Sequence, residues 1–354
     1  PALVGTTPYF YQAGTDSTAP ADSQLRIVSY GPQGETRGQA QIKIDFSNPL
    51  IPLTPLSDGE RESILKHFLL EPAVEGQFRF LGTATVVFQP AHSLPLANTF
   101  KVIVHRDIKD IHGNELSSDF FWEFQTPLPQ IQIDPYNGNQ QVKIDVAIQV
   151  RSNAALDLKS LEEKCVLSET ERNRKVDYRL LEHEENPTDQ QDIGMGRIWF
   201  RYILKPKQLL KKDTDYTLMI SEGLRTIRGN RPLPHAITSH FKTFPPFQFL
   251  RTGFCDGCGG NLVTRPFLAF TTRPQYKDFD QFLSIDPTTE QSPFYLYGCG
   301  DNDLGVNDYL LLPNTTYTVT LKPGLKDQFD QALENPQTVT FTTGEATPKM
   351  WGPS

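Results

Sequence analysis

The stretch Phe100-Lys101-Val102-Ile103-Val104, followed by Gly113-Asn114-Glu115-Leu116 and then Phe121-Trp122-Glu123-Phe124-Gln125-Thr126-Pro127, reads as an alternating strand, a Gly/Asn turn and an aromatic closing strand that leaves through a threonine. The same order returns as Tyr216-Thr217-Leu218-Met219-Ile220, Gly229-Asn230-Arg231-Pro232-Leu233 and Phe241-Lys242-Thr243. It returns again, with its turn diverged, as Tyr317-Thr318-Val319-Thr320-Leu321, Phe329-Asp330-Gln331-Ala332-Leu333 and Val339-Thr340-Phe341-Thr342-Thr343. Tyr216, Gly229 and Phe241 follow Phe100, Gly113 and Phe124 by 116, 116 and 117 positions, and Tyr317 and Phe341 follow Tyr216 and Phe241 by 101 and 100. Shared spacing of several landmarks is the mark of a repeated structural unit.

Working outward, the front half of each copy also matches. A short helix-like stretch runs into an extended one at Ser63–Pro72, at Ser160–Leu167 and at Phe279–Pro287. Ahead of these, Gln41–Phe46 and Gln141–Ile148 alternate apolar and polar residues, the pattern of a strand with one buried face. Asp45 and Asp145 fall on the outward face of these two strands and are expected to be equivalent. About seven short strands per copy of about 100–118 residues match an immunoglobulin-like sandwich. The expected fold is therefore all-β: three tandem Ig-like β-sandwich domains with short helices in the connections. The expected division is an extension over 1–24, domains over 25–128, 129–246 and 247–345, and a tail over 346–354. Pro127-Leu128-Pro129 and Pro245-Pro246 mark stiff linkers between the copies.

Composition limits the function classes. The 354 residues carry 34 Lys+Arg against 42 Asp+Glu, a net charge of -8, without a basic run, so nucleic acid is not an expected partner. No apolar run reaches the roughly 18 residues that span a bilayer. The opening Pro1-Ala2-Leu3-Val4 looks trimmed, so contact with a membrane is expected only through an anchor outside this chain.

Cys255, Cys258 and Cys299 cluster in one copy, with glycines on both sides of the first two. A structural disulfide from Cys299 to Cys255 or Cys258 is the favoured reading; free thiols are the next, and metal or redox use would need a fourth ligand or a helical Cys-x-x-Cys. Asp301, Asp303 and Asp308 offer oxygens to a cation, but the spacing lacks an EF-hand's later Glu and suits an ordinary turn. His183-Glu184-Glu185 reads as a solvated loop. Neither a zinc-protease His pair, nor a nucleophile elbow, nor a phosphate loop occurs, so no enzyme activity and no cofactor are expected.

Asp213-Thr214-Asp215-Tyr216-Thr217-Leu218, Asn314-Thr315-Thr316-Tyr317-Thr318-Val319, Asn98-Thr99-Phe100-Lys101-Val102 and Phe46-Ser47-Asn48-Pro49-Leu50 resemble strands of the Ig-like domains in the N-terminal part of bacterial alpha-2-macroglobulin-like proteins. The resemblance covers roughly residues 25–345. It implies a large envelope protein, in the periplasm or at the cell surface, that traps proteases by bait cleavage and closure. The thioester Cys-x-Glu-Gln of that family is missing: Cys165, Cys255, Cys258 and Cys299 are followed by other residues. The resemblance therefore implies a scaffold piece, with proteases as partners of the whole polypeptide and further domains of that polypeptide as neighbours. The competing expectation is a structural or adhesive Ig-like array. A carbohydrate-binding face would have to use Phe294, Tyr295 and Tyr297, for which a core strand is the plainer reading.

Overall fold

The computed structural model describes residues 24–36, 41–182, 199–256, 262–275, 277, 279–296 and 298–347. They form three tandem Ig-like β-sandwiches with two short α-helices. In the first, Ile27–Gly31, Ile42–Phe46, Thr85–Pro90 and Gly76–Phe80 make one sheet in that order. The other sheet orders Gly34–Glu35, Phe120–Gln125, Thr99–Val104 and Phe68–Glu71. Alternation decides which side chains face inward: Ile42, Ile44 and Phe46 meet Phe100, Val102, Val104 and Phe124 in a dry core. The helix Asp58–Leu65 has no fully buried residue and packs on the core only through the partly buried Ile64 and Leu65; it starts because Ser57 and Glu60 form a reciprocal capping box.

The second sandwich pairs Tyr178–Glu182, Phe200–Pro206, Ile148–Ser152 and Ile131–Asp134 against Asn139–Val142, Ile237–Thr243, Asp215–Ile220, Cys165–Glu169 and Arg174–Lys175. The third sets Phe249–Asp256, Thr264–Phe270, Asp303–Val306 and Phe294–Leu296 against Leu283–Asp286, Thr316–Leu321 and Gln337–Thr342. Each has its own hydrophobic cluster. No described helix is long and apolar enough to cross a membrane.

The alternation at Gln141–Ile148 does not make one strand. Asn139–Val142 pairs in parallel with Ile237–Thr243, whereas Ile148–Ser152 pairs with Phe200–Pro206 in the opposite sheet. Residues 143–147 carry the chain from one sheet to the other, so Ile144 and Val146 reach the core from a crossing turn. Asp145 consequently sits in that turn, its carbonyl accepting from Lys205 Nζ. Asp45 lies in a strand, paired with Lys43 at 2.9 Å and accepting from Thr85 Oγ1 at 2.7 Å. The two aspartates are not equivalent.

By compactness the chain divides into two units. The described residues up to Pro129 form one together with Arg225–Pro232, and the second comprises Gln130–Leu224 and the residues from Leu233 on. The segment 225–232, the second copy's Gly-Asn turn, thus packs as part of the first unit.

Candidate functional site

Each sandwich closes with the same corner. Thr126 Oγ1 accepts from the Asn98 N–H at 3.0 Å and donates to the Pro95 carbonyl at 2.7 Å. Thr243 repeats this with Thr214 N–H at 3.1 Å and the Lys211 carbonyl at 2.6 Å, and Thr343 with Thr315 N–H at 2.9 Å and the Leu312 carbonyl at 2.6 Å. The residue before each bonded N–H is left-handed: Ala97 at φ 58°, Asp213 at 48° and Asn314 at 47°. Asn and Asp tolerate that region, whereas alanine adopts it at a cost. Stacked rings back each corner, with centroids 5.4 Å apart for Phe100–Phe124, 5.7 Å for Tyr216–Phe241 and 5.8 Å for Tyr317–Phe341. Tyr216 and Tyr317 also accept, through their hydroxyls, from Lys211 N–H at 2.9 Å and Leu312 N–H at 2.8 Å. These are tyrosine corners, which Phe100 cannot make. Together the bonds fix the exit of each sandwich.

The turns of the first and third copies are braced from a matching position. Asp110 accepts from the N–H groups of His112 and Asn114 at 2.8 and 2.9 Å and from the side chains of Asn114 and Asn48 at 2.9 and 2.7 Å. Burial pushes its carboxyl up, but these donors outweigh burial and hold it at about 2. Because the folded value lies below that of a free aspartate, the stability Asp110 contributes is complete above about pH 4 and is lost as pH falls toward 2. Acid titration of the first unit should therefore steepen between those values, and Asp110→Asn should flatten that part of the curve.

Asp327 braces the third turn in the same way. Asp330 there takes the left-handed place that Gly113 holds in the first turn, at φ 62° against 83°, so the turn that diverges in sequence keeps its shape. In the second copy the bracing position is Thr226, whose buried Oγ1 has no hydrogen-bond partner. That turn is held from outside instead. Asn230 clasps the backbone of Thr99, its Oδ1 accepting from Thr99 N–H at 2.8 Å and its Nδ2 donating to Thr99 O at 2.9 Å. Asn98 Oδ1 accepts from Asn230 N–H at 3.2 Å, and Asn98 Nδ2 donates to Arg228 O at 2.8 Å. Arg231 Nη1 donates to Thr126 O at 2.7 Å and pairs with Glu35 at 3.4 Å.

Gly229 is required by contact. A Cβ there would lie 2.8 Å from Ala97 O and 2.3 Å from Thr226 Oγ1, neither at the end of a long flexible side chain. Gly229→Ala should therefore cost about 1–3 kcal/mol and speed hydrogen exchange at Thr99, while Gly113→Asn, in open space, should cost less.

In the second unit, Gln331, which stands where Asn230 stands, donates through Nε2 to Pro245 O at 3.0 Å. Gln328 Nε2 donates to Gln141 Oε1 at 2.9 Å, and Phe329 stacks on Phe244 at 4.3 Å. A cavity of about 140 Å³ is lined by charged groups including Glu169, Lys211 and Asp213. Lys211 lies 2.7 Å from Glu169 and holds its carboxyl below the usual range, and Lys242 pairs with Asp213 at 2.9 Å.

The structure bonds Cys255 to Cys299, with Cα atoms 5.8 Å apart. Cys258 and Tyr297 lie outside the described residues, as does the run from His183 to Glu185. Cys165 is a buried free thiol whose pKa burial raises to about 11. Asp301 pairs with Arg273 at 3.8 Å, Asp303 is buried in a strand, and Asp308 accepts from Leu262 N–H at 3.1 Å. Among the described residues no three His, Cys, Asp or Glu side chains converge as a metal site would require. Burial raises the Asp303 pKa, an effect reduced by the N–H of Gly300, by Arg251 and by the N–H of Cys299. Phe294 is in the core, and Tyr295 Oη accepts from Arg265 Nη1 at 2.8 Å. The closing threonines are visible in the sequence, but their bonding role is not, and the braces at Asp110 and Asp327 are marked there only by their shared repeat spacing.

Residues 21–126 match the family model of a bacterial Ig-like domain. Over 93% of its length the chain is 29% identical to an alpha-2-macroglobulin homolog of Nostoc sp., of which it spans 18%. Among solved structures, a titin I9–I11 tandem shares 6% identity, covering 90% of this chain and 98% of that one, at a TM-score of 0.28. Native alpha-2-macroglobulin from Escherichia coli, spanning domains MG0-NIE-MG1, shares 12% identity, covering 91% and 97%, at 0.23.

Proposed function

We propose that this run of Ig-like sandwiches, related in sequence to a bacterial alpha-2-macroglobulin homolog, is a non-catalytic scaffold within a larger envelope protein that traps proteases. The observation that carries the reading is the 29% identity, sustained over 93% of the chain. The corners support it, because the same bonds fix the exit of every sandwich. Proteases are then partners of the whole polypeptide, and its further domains are the neighbours of this chain. A location in the periplasm or at the cell surface is supported by the Cys255–Cys299 disulfide, since such bonds persist in oxidising compartments.

The test is to present the full-length protein to a panel of proteases. Cleavage within one exposed segment, followed by compaction and retention of the protease, is the expected result. Simple degradation, or an intact protein that retains nothing, would replace the proposal with a structural or adhesive Ig-like array. We also propose domain boundaries at 128/129, 246/247 and 345/346. Residues 247–345 made alone should unfold in one cooperative denaturant transition; a non-cooperative profile would displace those limits.

A further inference from the structure

The clasp of Asn230 on Thr99 depends on where a neighbouring strand stops. Phe68–Glu71 pairs with Lys101–Val104 and ends at Glu71, because Pro72 has no N–H to extend the ladder. Thr99, two residues beyond the last paired position, turns its N–H and C=O to that vacated side, and Asn230 takes both. In the second sandwich the corresponding strand is not stopped by proline, and Thr170 N–H bonds Asp215 O at 2.8 Å. Asp215 holds the register of Thr99 but is served by its own sandwich, and the following turn reaches Pro245 instead.

The third sandwich repeats the first. Leu283–Asp286 pairs with Thr318–Leu321 and stops at Asp286, before Pro287. Thr316 lies two residues beyond Thr318 and opposite Thr342, as Thr99 lies two beyond Lys101 and opposite Gln125. The period of two along a strand then directs the Thr316 N–H and C=O to the same side as those of Thr99. The surroundings differ in exposure. Ala97 and Asn98, beneath the docked turn, are 0% and 1% exposed and Thr99 is half-buried, whereas the equivalent Asn314 and Thr316 are exposed, Thr315 is half-buried, and Leu312 beside them is 63% exposed.

We propose that the backbone of Thr316, flanked by Leu312 and Asn314, is the receptor for an Asn- or Gln-bearing turn from a further Ig-like repeat of the same polypeptide. The occupant follows from the matching site in the first unit, where the ligand is such a turn, and from the relative's length, of which this chain spans 18%. A side-chain amide fits because it offers one acceptor and one donor to a single residue's N–H and C=O. The small contact would gain its strength from tethering, which makes docking intramolecular. The inference rests on the scaffold reading in requiring a larger polypeptide, but it does not require that proteases be trapped.

The test is amide hydrogen exchange, comparing residues 1–354 with the full-length polypeptide. Exchange at Thr316 should be at least about tenfold slower in the full-length protein, the effect of a hydrogen bond contributing about 1.4 kcal/mol. Thr99 should be slow in both, and Asn230→Ala should accelerate Thr99 while leaving Thr316 unchanged. Equal rates at Thr316 would overturn the proposal. Protection that grows with the concentration of residues 1–354 alone would also overturn it, because the occupant would then be a second copy. Protease retention is a separate readout, so failure of trapping and failure of docking are distinguishable.

Discussion

Asp327→Ala is expected to destabilise the third sandwich by on the order of 4 kcal/mol. The carboxylate is fully buried and accepts from Thr272 Oγ1 at 2.5 Å, from the N–H groups of Phe329 and Gln331 at 2.9 and 2.8 Å, and from Gln331 Nε2 at 2.8 Å. Removing the acceptor strands one buried donor, the Thr272 hydroxyl, and three partly buried ones at once, and a fully buried group left unpaired costs about 1–3 kcal/mol. Asp327→Asn should cost less, because its carbonyl still accepts, although its amide then opposes another donor. The measurement is native-state hydrogen exchange of the Thr316–Leu321 strand, which reports opening of that sandwich independently of the others. A change below about 1 kcal/mol would show that the turn does not depend on its brace.

The second large effect concerns Cys255 and Cys299. Their bond closes a loop with a sequence separation of 44, and the chain-entropy estimate for such a loop is about 4 kcal/mol. Cys255→Ser combined with Cys299→Ser should lose about that much from the third sandwich and nothing from the first. The same exchange experiment, with and without reductant, checks it. A third sandwich whose stability ignores both reduction and the double substitution would mean that the loop is already held by its other contacts. Those contacts include the strand pairing of Phe249–Asp256 with Thr264–Phe270 and the turn that joins Gly300 to Asp303.

Much of the architecture was legible from spacing alone. Phe100, Tyr216 and Tyr317 became equivalent fully buried positions, and the helix-like stretches became two short α-helices and, at Phe279–Phe282, one 3-10 turn, each leading into a strand. The segment 141–148 misled because Val142, Ile144, Val146 and Ile148 all face apolar surroundings, yet the chain changes sheets between them; periodicity records burial and not the identity of the pairing strand. The diverged third turn misled in the opposite direction. Asp330 replaces a glycine without changing the fold of the turn, since aspartate tolerates the left-handed region.

The site was less legible. Thr126, Thr243 and Thr343 stand at matching places, but what they bond lies 28–32 residues earlier and is brought near only when the sheets close. Asn230 gives still less away: in sequence it is one more Gly-Asn turn, and its ligand is a backbone 131 residues distant. The missing brace at Thr226 is the one local sign that this turn answers to something outside itself.

The threonine corners also decide how a sandwich would bear tension. A pull applied through the chain beyond Thr126 arrives at that residue before it reaches any rung of the Phe120–Gln125 ladder. There the hydroxyl grips the chain around Pro95 and Asn98 from both sides of the bond, donating to one and accepting from the other. The corner therefore acts as a latch in series with the sheet: the strand cannot peel rung by rung until the latch has opened, and a threonine-to-valine change there would lower the rupture force while leaving the core untouched.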